Sequence, residues 1–199
     1  MKQILDTELD ALNICAEALQ ADGVVALPTE TVYGLVTRWD SEAGRERIYH
    51  LKHRPSSKRL QMLAPSLEAA WAAGVADLPE LRKLAAKFWP GALTVVVPNA
   101  DRTDTIGLRI PNHPFVLNLL KKCNCVFAAT SANLSGTPPA TNIVDAVKGL
   151  DGEPDVAVDG GVITVTGGQA STVVSLLNDT PVIIREGAIK IGQIAAVLG

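Results

Sequence analysis

Leu51-Lys52-His53-Arg54-Pro55-Ser56-Ser57-Lys58-Arg59-Leu60-Gln61-Met62-Leu63-Ala64 is the stretch on which the reading of this chain turns. It passes from a helical pattern through a loop into a strand. Upstream, Ser41 can cap a helix whose apolar residues include Ile48 and Leu51. Pro55 and the two serines after it stop that helix. The apolar run 60–64 then reads as a short buried strand. Between them, four cations fall within eight residues: Lys52, Arg54, Lys58 and Arg59. A cationic loop entering a strand presents charge to phosphates, arginine as a rigid fork and lysine as a point charge. A solvated basic turn has the same composition, so the loop needs a partner elsewhere in the chain to carry a function.

Outward from this stretch, helical and extended patterns alternate to both ends. Before it, 9–19 has an apolar helical face, with Thr7 as its expected cap and Gly23 as its stop. Residues 24–27 read as a buried strand, 28–31 as a polar loop, and 33–36 as a second extended run. After it come helices from Ser66 and from Pro79, then a stop at Trp89-Pro90-Gly91. Valine-rich 92–97 and 106–110 read as strands, 111–122 as a helix and 125–129 as a buried strand. A short helix from Asn142, strands at 155–158, 171–176 and 182–184, and a helix at 191–198 complete the series. The glycine-rich segment 159–170 is expected to be a mobile loop. No repeat or linker interrupts the alternation. The expectation is one α/β domain over residues 1–199 (α+β in strict schemes), a twisted sheet with helices packed on it. Several strand pairs lie too close in sequence for a helical crossover, so the sheet is expected to be mixed.

Composition narrows the function. With 47% hydrophobic and 20% charged residues in 199, the chain is an ordinary globular protein with enough length for a sizeable core. Aromatics at 4% argue against a base-stacking platform. A net charge of −3 gives no global field for a long polyanion. Yet 45–59 holds six Lys/Arg and one acid, Glu46, which suits a confined anion. Cys15, Cys123 and Cys125 offer no zinc spacing or disulfide framework, and Cys15 falls on a helix as a small core residue. No leader and no membrane-length apolar run is seen, so a reduced cytoplasmic location is expected.

Known chemical motifs are missing. There is no Walker loop, no Gly-x-Gly-x-x-Gly after the first strand and no nucleophile elbow. His50, His53 and His113 form no metal pattern. What stands out is a second polar loop, Thr130-Ser131-Ala132-Asn133-Leu134-Ser135-Gly136, at the end of the run 125–129. With it goes a set of polar residues near strand ends: Thr29, Thr31, Lys52, Arg54, Lys58, Thr105, Arg109, Ser131, Asn133, Ser171, Thr172 and Arg185. Several cations with hydroxyls and an amide suit a triphosphate plus a second anion such as a carboxylate. Taken one at a time, each has a bland role, as a turn former or an exposed ion pair.

Together they bring a family into view. The chain resembles the YrdC/TsaC family of threonylcarbamoyl-AMP synthases along nearly its whole length. The resemblance rests on Pro28-Thr29-Glu30-Thr31-x-Tyr33-Gly34-Leu35, Lys52-x-Arg54-Pro55, Trp89-Pro90-Gly91, Gly107-Leu108-Arg109-Ile110-Pro111, Ser131-Ala132-Asn133, Ser171-Thr172-Val173 and Arg185-x-Gly187. Each is weak alone; all seven occur in the family's order.

The resemblance implies condensation of L-threonine, bicarbonate and ATP to threonylcarbamoyl-adenylate and pyrophosphate. Partner proteins would then move the threonylcarbamoyl group to an adenosine of certain tRNAs. It implies Lys52 and Arg54 as catalytic residues, and Thr31, Arg109 and Ser171 as the threonine site. Arg54, Lys58, Thr105, Ser131, Asn133 and Arg185 would bind ATP, whose Mg2+ would ride on the nucleotide rather than in a protein cage. Such chemistry asks the protein mainly for positioning and charge neutralisation, which fits the lack of an obvious base or nucleophile. The chain departs from the family at Arg59 and Ala170, where proline is usual, and at Leu63, where some members have histidine. The second domain seen in some relatives is not expected here, so any lid is expected from 159–170 or from another chain. The alternative is a non-catalytic module of the same fold that binds tRNA or double-stranded RNA weakly, by shape, in the same cationic hollow.

Overall fold

Alternate residues of the central strands belong to different hydrophobic clusters, so this sheet is covered on both sides. Val25 and Leu27 of strand β2 (Val25–Leu27) join one cluster, while Ala26 joins another. Strand β3 (Gly34–Arg38) divides in the same way, Val36 to the first cluster and Leu35 to the other. A period of two with both faces buried is what helices on each side of a sheet require.

The computed structural model describes residues 1–164 and 169–199. The expected lid at 159–170 therefore lies partly outside the described residues. The remaining strands are β1 (Lys2–Leu5), β4 (Gln61–Leu63), β5 (Leu93–Pro98), β6 (Thr105–Arg109), β7 (Phe127–Ser131), β8 (Val156–Asp159), β9 (Thr172–Ser175) and β10 (Val182–Arg185). They form one sheet in the order β1-β8-β2-β3-β7-β4-β6-β5-β9-β10. It is mixed as expected. β1–β8, β8–β2, β4–β6 and β5–β9 are parallel, and the other neighbours run antiparallel.

The helices are α1 (Ala11–Gln20), α2 (Glu42–Leu51), α3 (Leu67–Ala72), α4 (Pro79–Phe88), α5 (Pro114–Cys123), α6 (Ile143–Lys148) and α7 (Ile191–Leu198). Ser41 caps α2 as expected, its hydroxyl accepting from the Gly44 N–H at 2.9 Å. Asn142 caps α6 in the same way. At the start of the chain one expectation fails and one element was not foreseen. Asp10, not Thr7, stands at the N-cap of α1, with no side-chain cap bond. Residues 2–5, unassigned from sequence, are an edge strand held by β8 some 150 residues later.

Three clusters account for three of the sheet's four half-faces. α1 and α5 cover one side of β1, β8, β2, β3 and β7 through Leu19, Val116, Leu119 and Phe127. α2 and α6 cover the reverse of that half through Ile48, Leu51, Ile143 and Ala146. α3, α4 and α7 cover one side of β4, β6, β5 and β9, against Met62, Leu93, Val95, Leu108 and Val174. The fourth half-face carries polar side chains instead of an apolar cluster.

Candidate active site

Cross-strand partners share a face. Ala129, Gln61 and Gly107 therefore form one row across β7, β4 and β6, and Phe127, Leu63 and Arg109 form the next. The first row is low. A Cβ built at Gly107 would meet Thr94 Cγ2 at 3.6 Å and Gln61 Cβ at 3.8 Å, ordinary contact, so glycine keeps the floor low there without being required by crowding. Around this floor stand buried polar groups. Thr94 and Ser171 share a hydrogen bond between hydroxyls at 2.9 Å, and Thr94 donates to Gln61 Oε1 at 3.1 Å. Arg185 Nη2 donates to the Ser171 carbonyl at 2.7 Å.

Arg109 enters the same hollow from β6. Its Nε donates to the Gly91 carbonyl at 3.2 Å and its Nη2 to Thr31 Oγ1 at 3.0 Å. Gly91 is brought there by Trp89-Pro90-Gly91, in which the Trp89–Pro90 peptide is cis. Arg109 is 3% exposed, and burial of a fixed cation demands a counter-charge. Glu30 supplies it, with Oε1 at 2.7 Å from Nη2. The carboxylate lies off the N–H direction, so the contact is ionic, and among the described residues neither of its oxygens has a hydrogen-bond donor. Thr29 builds the turn that presents Thr31, accepting at Oγ1 from the N–H groups of Thr31 and Val32.

Burial lowers the pKa of Arg185, and the neighbouring Arg109 lowers it further. Arg185 as a whole residue is solvent-exposed, and a guanidinium at the open side of the hollow that feels buried Arg109 suits an anion between them. Thr172, next to Ser171, fixes the segment behind Arg185: its hydroxyl accepts from the N–H of Gly187 and of Ile189 at 2.9 and 3.0 Å. Only glycine fits at 187, because a Cβ there would sit 2.2 Å from the Ala170 carbonyl oxygen.

Ser131 on β7 and Thr105 on β6 continue the alternation of Ala129 and Gly107, so they lie on the same face about 7 Å further along their strands. Here the two polar loops meet. Lys52, 1% exposed, turns its ammonium inward to the carbonyls of Ser131 and Asn133 and to Asn133 Oδ1. In return the Lys52 carbonyl accepts from the Ser135 N–H at 2.9 Å. Burial, with Arg54 nearby, pushes Lys52 down to about 7. Three facing oxygens oppose that push, since only the cation has three N–H donors. Asn133 is itself pinned, its amide donating to the carbonyls of Leu134 and Thr137.

The rest of the basic loop folds on itself. Arg54 donates through Nε to the Lys58 carbonyl and through Nη2 to the Arg59 carbonyl, at 2.9 and 2.8 Å. Arg59 pairs with Asp104 beside Thr105. His53 pairs instead with Asp151 at the exposed surface.

Of the residues expected from sequence, Thr31, Arg109, Ser171 and Arg185 thus line the polar half-face. Lys52, Ser131 and Asn133 join the two loops at its edge, with Arg54 and Lys58 in the basic loop and Thr105 on the neighbouring strand. Lys52 has its donors spent within the protein, which makes it a tie between loops. Arg185 was expected among ATP ligands and sits on Ser171, beside the expected threonine group. A cleft of about 430 Å³ is lined by Trp39, Ala73, Gly74 and Ile106 on the α3 side of the sheet together with Tyr49, Arg59 and Thr105, and of the expected site residues it holds only Thr105. A larger one of about 610 Å³, at Trp39, Lys121 and Cys125, lies at the far end of the β3–β7 pair and holds none of the expected site residues.

A family model described as "Telomere recombination", covering Sua5, YciO and YrdC, matches residues 17–187. The chain belongs to this Sua5/YciO/YrdC family. It is 38% identical over 206 residues to the threonylcarbamoyl-AMP synthase of Bacillus subtilis, covering 98% of this chain and 58% of that protein. The synthase of Pyrococcus abyssi is 33% identical, with 94% and 57% covered. A putative synthase of Mycobacterium tuberculosis is 32% identical, with 92% and 86% covered. The chain thus spans less than three fifths of the first two relatives. Among solved structures, P. abyssi Sua5 complexed with L-threonine superposes with a TM-score of 0.90 at 32% identity, over 100% of this chain and 60% of that one. Escherichia coli YciO shares the fold, with a TM-score of 0.82 at 22% identity, over 96% and 95%.

Within the family's fold, reading the sequence missed three contributors to the hollow. Gln61 opens β4 and Thr94 is the second residue of β5, both in runs that read as apolar, and strand parity was the one signal that put them on the polar face. Glu30 lies inside a quoted motif, but its importance comes from Arg109, which is 79 residues away in sequence.

Proposed function

We propose that this chain condenses L-threonine, bicarbonate and ATP to threonylcarbamoyl-AMP and pyrophosphate. The observation that carries the reading is the joining of Thr31, Arg109 and Glu30 to the Thr94–Ser171–Arg185 network on the one polar half-face. Arg109 suits a substrate carboxylate, with the Thr31 hydroxyl beside it. Arg54, Lys58 and the Ser131 loop, further along the same face, suit the triphosphate. The carbamate oxygen formed in between then has a short path to the α-phosphorus, and in-line attack depends chiefly on that placement. The relatives' names support the reading.

Among the described residues no group of three or more His, Cys, Asp or Glu side chains is placed for a metal ion. In this reading Mg2+ is held by phosphate oxygens and water, and supplies charge neutralisation to the triphosphate. The adenylate would pass to partner proteins that modify tRNA, in the cytoplasm. No helix of the described residues is long and apolar enough to cross a membrane.

The test is pyrophosphate release by the purified chain with threonine, bicarbonate, ATP and Mg2+. Release that stops when threonine is omitted is the expected result. Release independent of threonine, or none, refutes the reading.

A further inference from the structure

Glu30 is a buried carboxylate without a hydrogen bond. It is 9% exposed, and neither oxygen has a donor among the described residues. Arg109 balances its charge at 2.7 Å but does not fill its lone pairs. An ionised carboxyl has about four acceptor positions, and the large majority of buried side-chain polar atoms have a partner. A vacancy of this kind, at the wall of a substrate hollow, marks the place of a ligand donor.

The donor it fits is an ammonium group. An α-amino acid carries a carboxylate and an ammonium on one carbon, and Arg109 beside Glu30 is the electrostatic complement of that pair. The substrate carboxylate takes the guanidinium, and the ammonium takes the carboxylate oxygens. We propose that Glu30 receives the α-ammonium of the amino-acid substrate and accepts its proton as the nitrogen bonds to the carbon of bicarbonate. This rests on the function proposed above and adds to it a residue for the carbamate-forming step.

The step balances. The ammonium, bicarbonate and the Glu30 carboxylate give the N-carboxylate of threonine, water and the protonated Glu30. One C–N bond forms, one C–O bond of bicarbonate breaks with loss of water, and the surplus proton of the nitrogen resides on Glu30. An ammonium has no lone pair, so some group must take this proton before nitrogen can attack. In a site closed to water, the neutral amine and carboxylic acid carry less charge to bury than the ions they replace. The charged and titratable groups around Glu30 are Arg109 from β6 and His113 from the start of α5, with Asp6 also acting on His113. Burial lowers the His113 pKa while Asp6 and Glu30 oppose it, and His113 Nδ1 has no hydrogen-bond partner among the described residues.

Three measurements test the proposal. The wild-type chain is titrated with L-threonine and with its analogue in which a hydroxyl replaces the α-ammonium. Binding at least tenfold weaker for the analogue is expected, and equal binding overturns the ammonium contact whether or not the chain is a synthase. Glu30→Gln is then assayed for threonine-dependent pyrophosphate release. Near pH 7 a loss of about 100-fold is expected. The variant's rate should recover with rising pH as free threonine loses its own proton, while the wild type stays nearly flat. A variant as fast as wild type, or one reduced by the same factor at every pH, overturns the proton-accepting role. Glu30→Asp, which keeps the carboxylate, should restore the flat pH profile with a raised KM for threonine; a profile like that of Glu30→Gln counts against the proposal. Threonine-independent behaviour of the wild type would instead strike at the proposed function.

Discussion

Replacing Lys52 by methionine keeps the apolar stem and removes the ammonium. In the folded chain that ammonium faces three oxygens contributed by Ser131 and Asn133, in a residue 1% exposed. The variant leaves two backbone carbonyls without this donor. An orphaned buried acceptor costs about 1–3 kcal/mol. Two of them cost about 2–6 kcal/mol, partly offset because a buried charge no longer has to be desolvated. A net loss of about 2–4 kcal/mol lowers the melting temperature of a chain of this size by about 4–16 °C. Thermal unfolding followed by circular dichroism reads this directly, and titration with ATP reads the consequence for the basic loop. If Lys52 were chiefly a phosphate ligand, its removal would abolish ATP binding and leave stability level or improved. A Lys52→Met chain that melts within about 1 °C of wild type would therefore refute its role as a tie between loops.

The same residue gives a pH dependence. Its folded-state value of about 7 lies below the ordinary 10.5, so between these the folded chain binds fewer protons than the unfolded one. Stability relative to Lys52→Met should rise with pH between about 7 and 10.5 and be level below about 7, where both states carry the proton, as urea unfolding at a series of pH values would show. Gly187→Ala puts a Cβ 2.2 Å from the Ala170 carbonyl oxygen. The overpacking should cost about 1–3 kcal/mol and weaken threonine binding by displacing Ser171 from Arg185, measured by melting and calorimetric titration. Arg54→Ala should reduce synthase turnover by about 100-fold while circular dichroism stays that of the wild type; near-normal turnover would show that the basic loop does not meet the phosphates.

Features that depend on neighbours in sequence were legible before the structure. The α2 helix, its Ser41 cap and its stop before Pro55 are local matters of hydrogen bonding and fixed φ. The alternation of elements and the mixed sheet followed from strand spacing. What could not be read was contributed by distant chain. β1 is four residues with only Ile4 buried, and its existence depends on β8. Lys52 is as cationic in sequence as Arg54, yet the Ser131 loop turns it inward. Thr31, Arg109, Ser171 and Arg185 were grouped by resemblance, while the reason they meet, one half-face left without an apolar cluster, exists only once three others have been filled.

The inward turn of Lys52 also has a meaning for synthesis. A ribosome that has made the first hundred residues has already released the cationic segment, but none of the oxygens that will hold it, at positions 131 and 133. That edge therefore cannot take its folded form until the chain beyond position 133 has emerged, whatever the helix before it has already done.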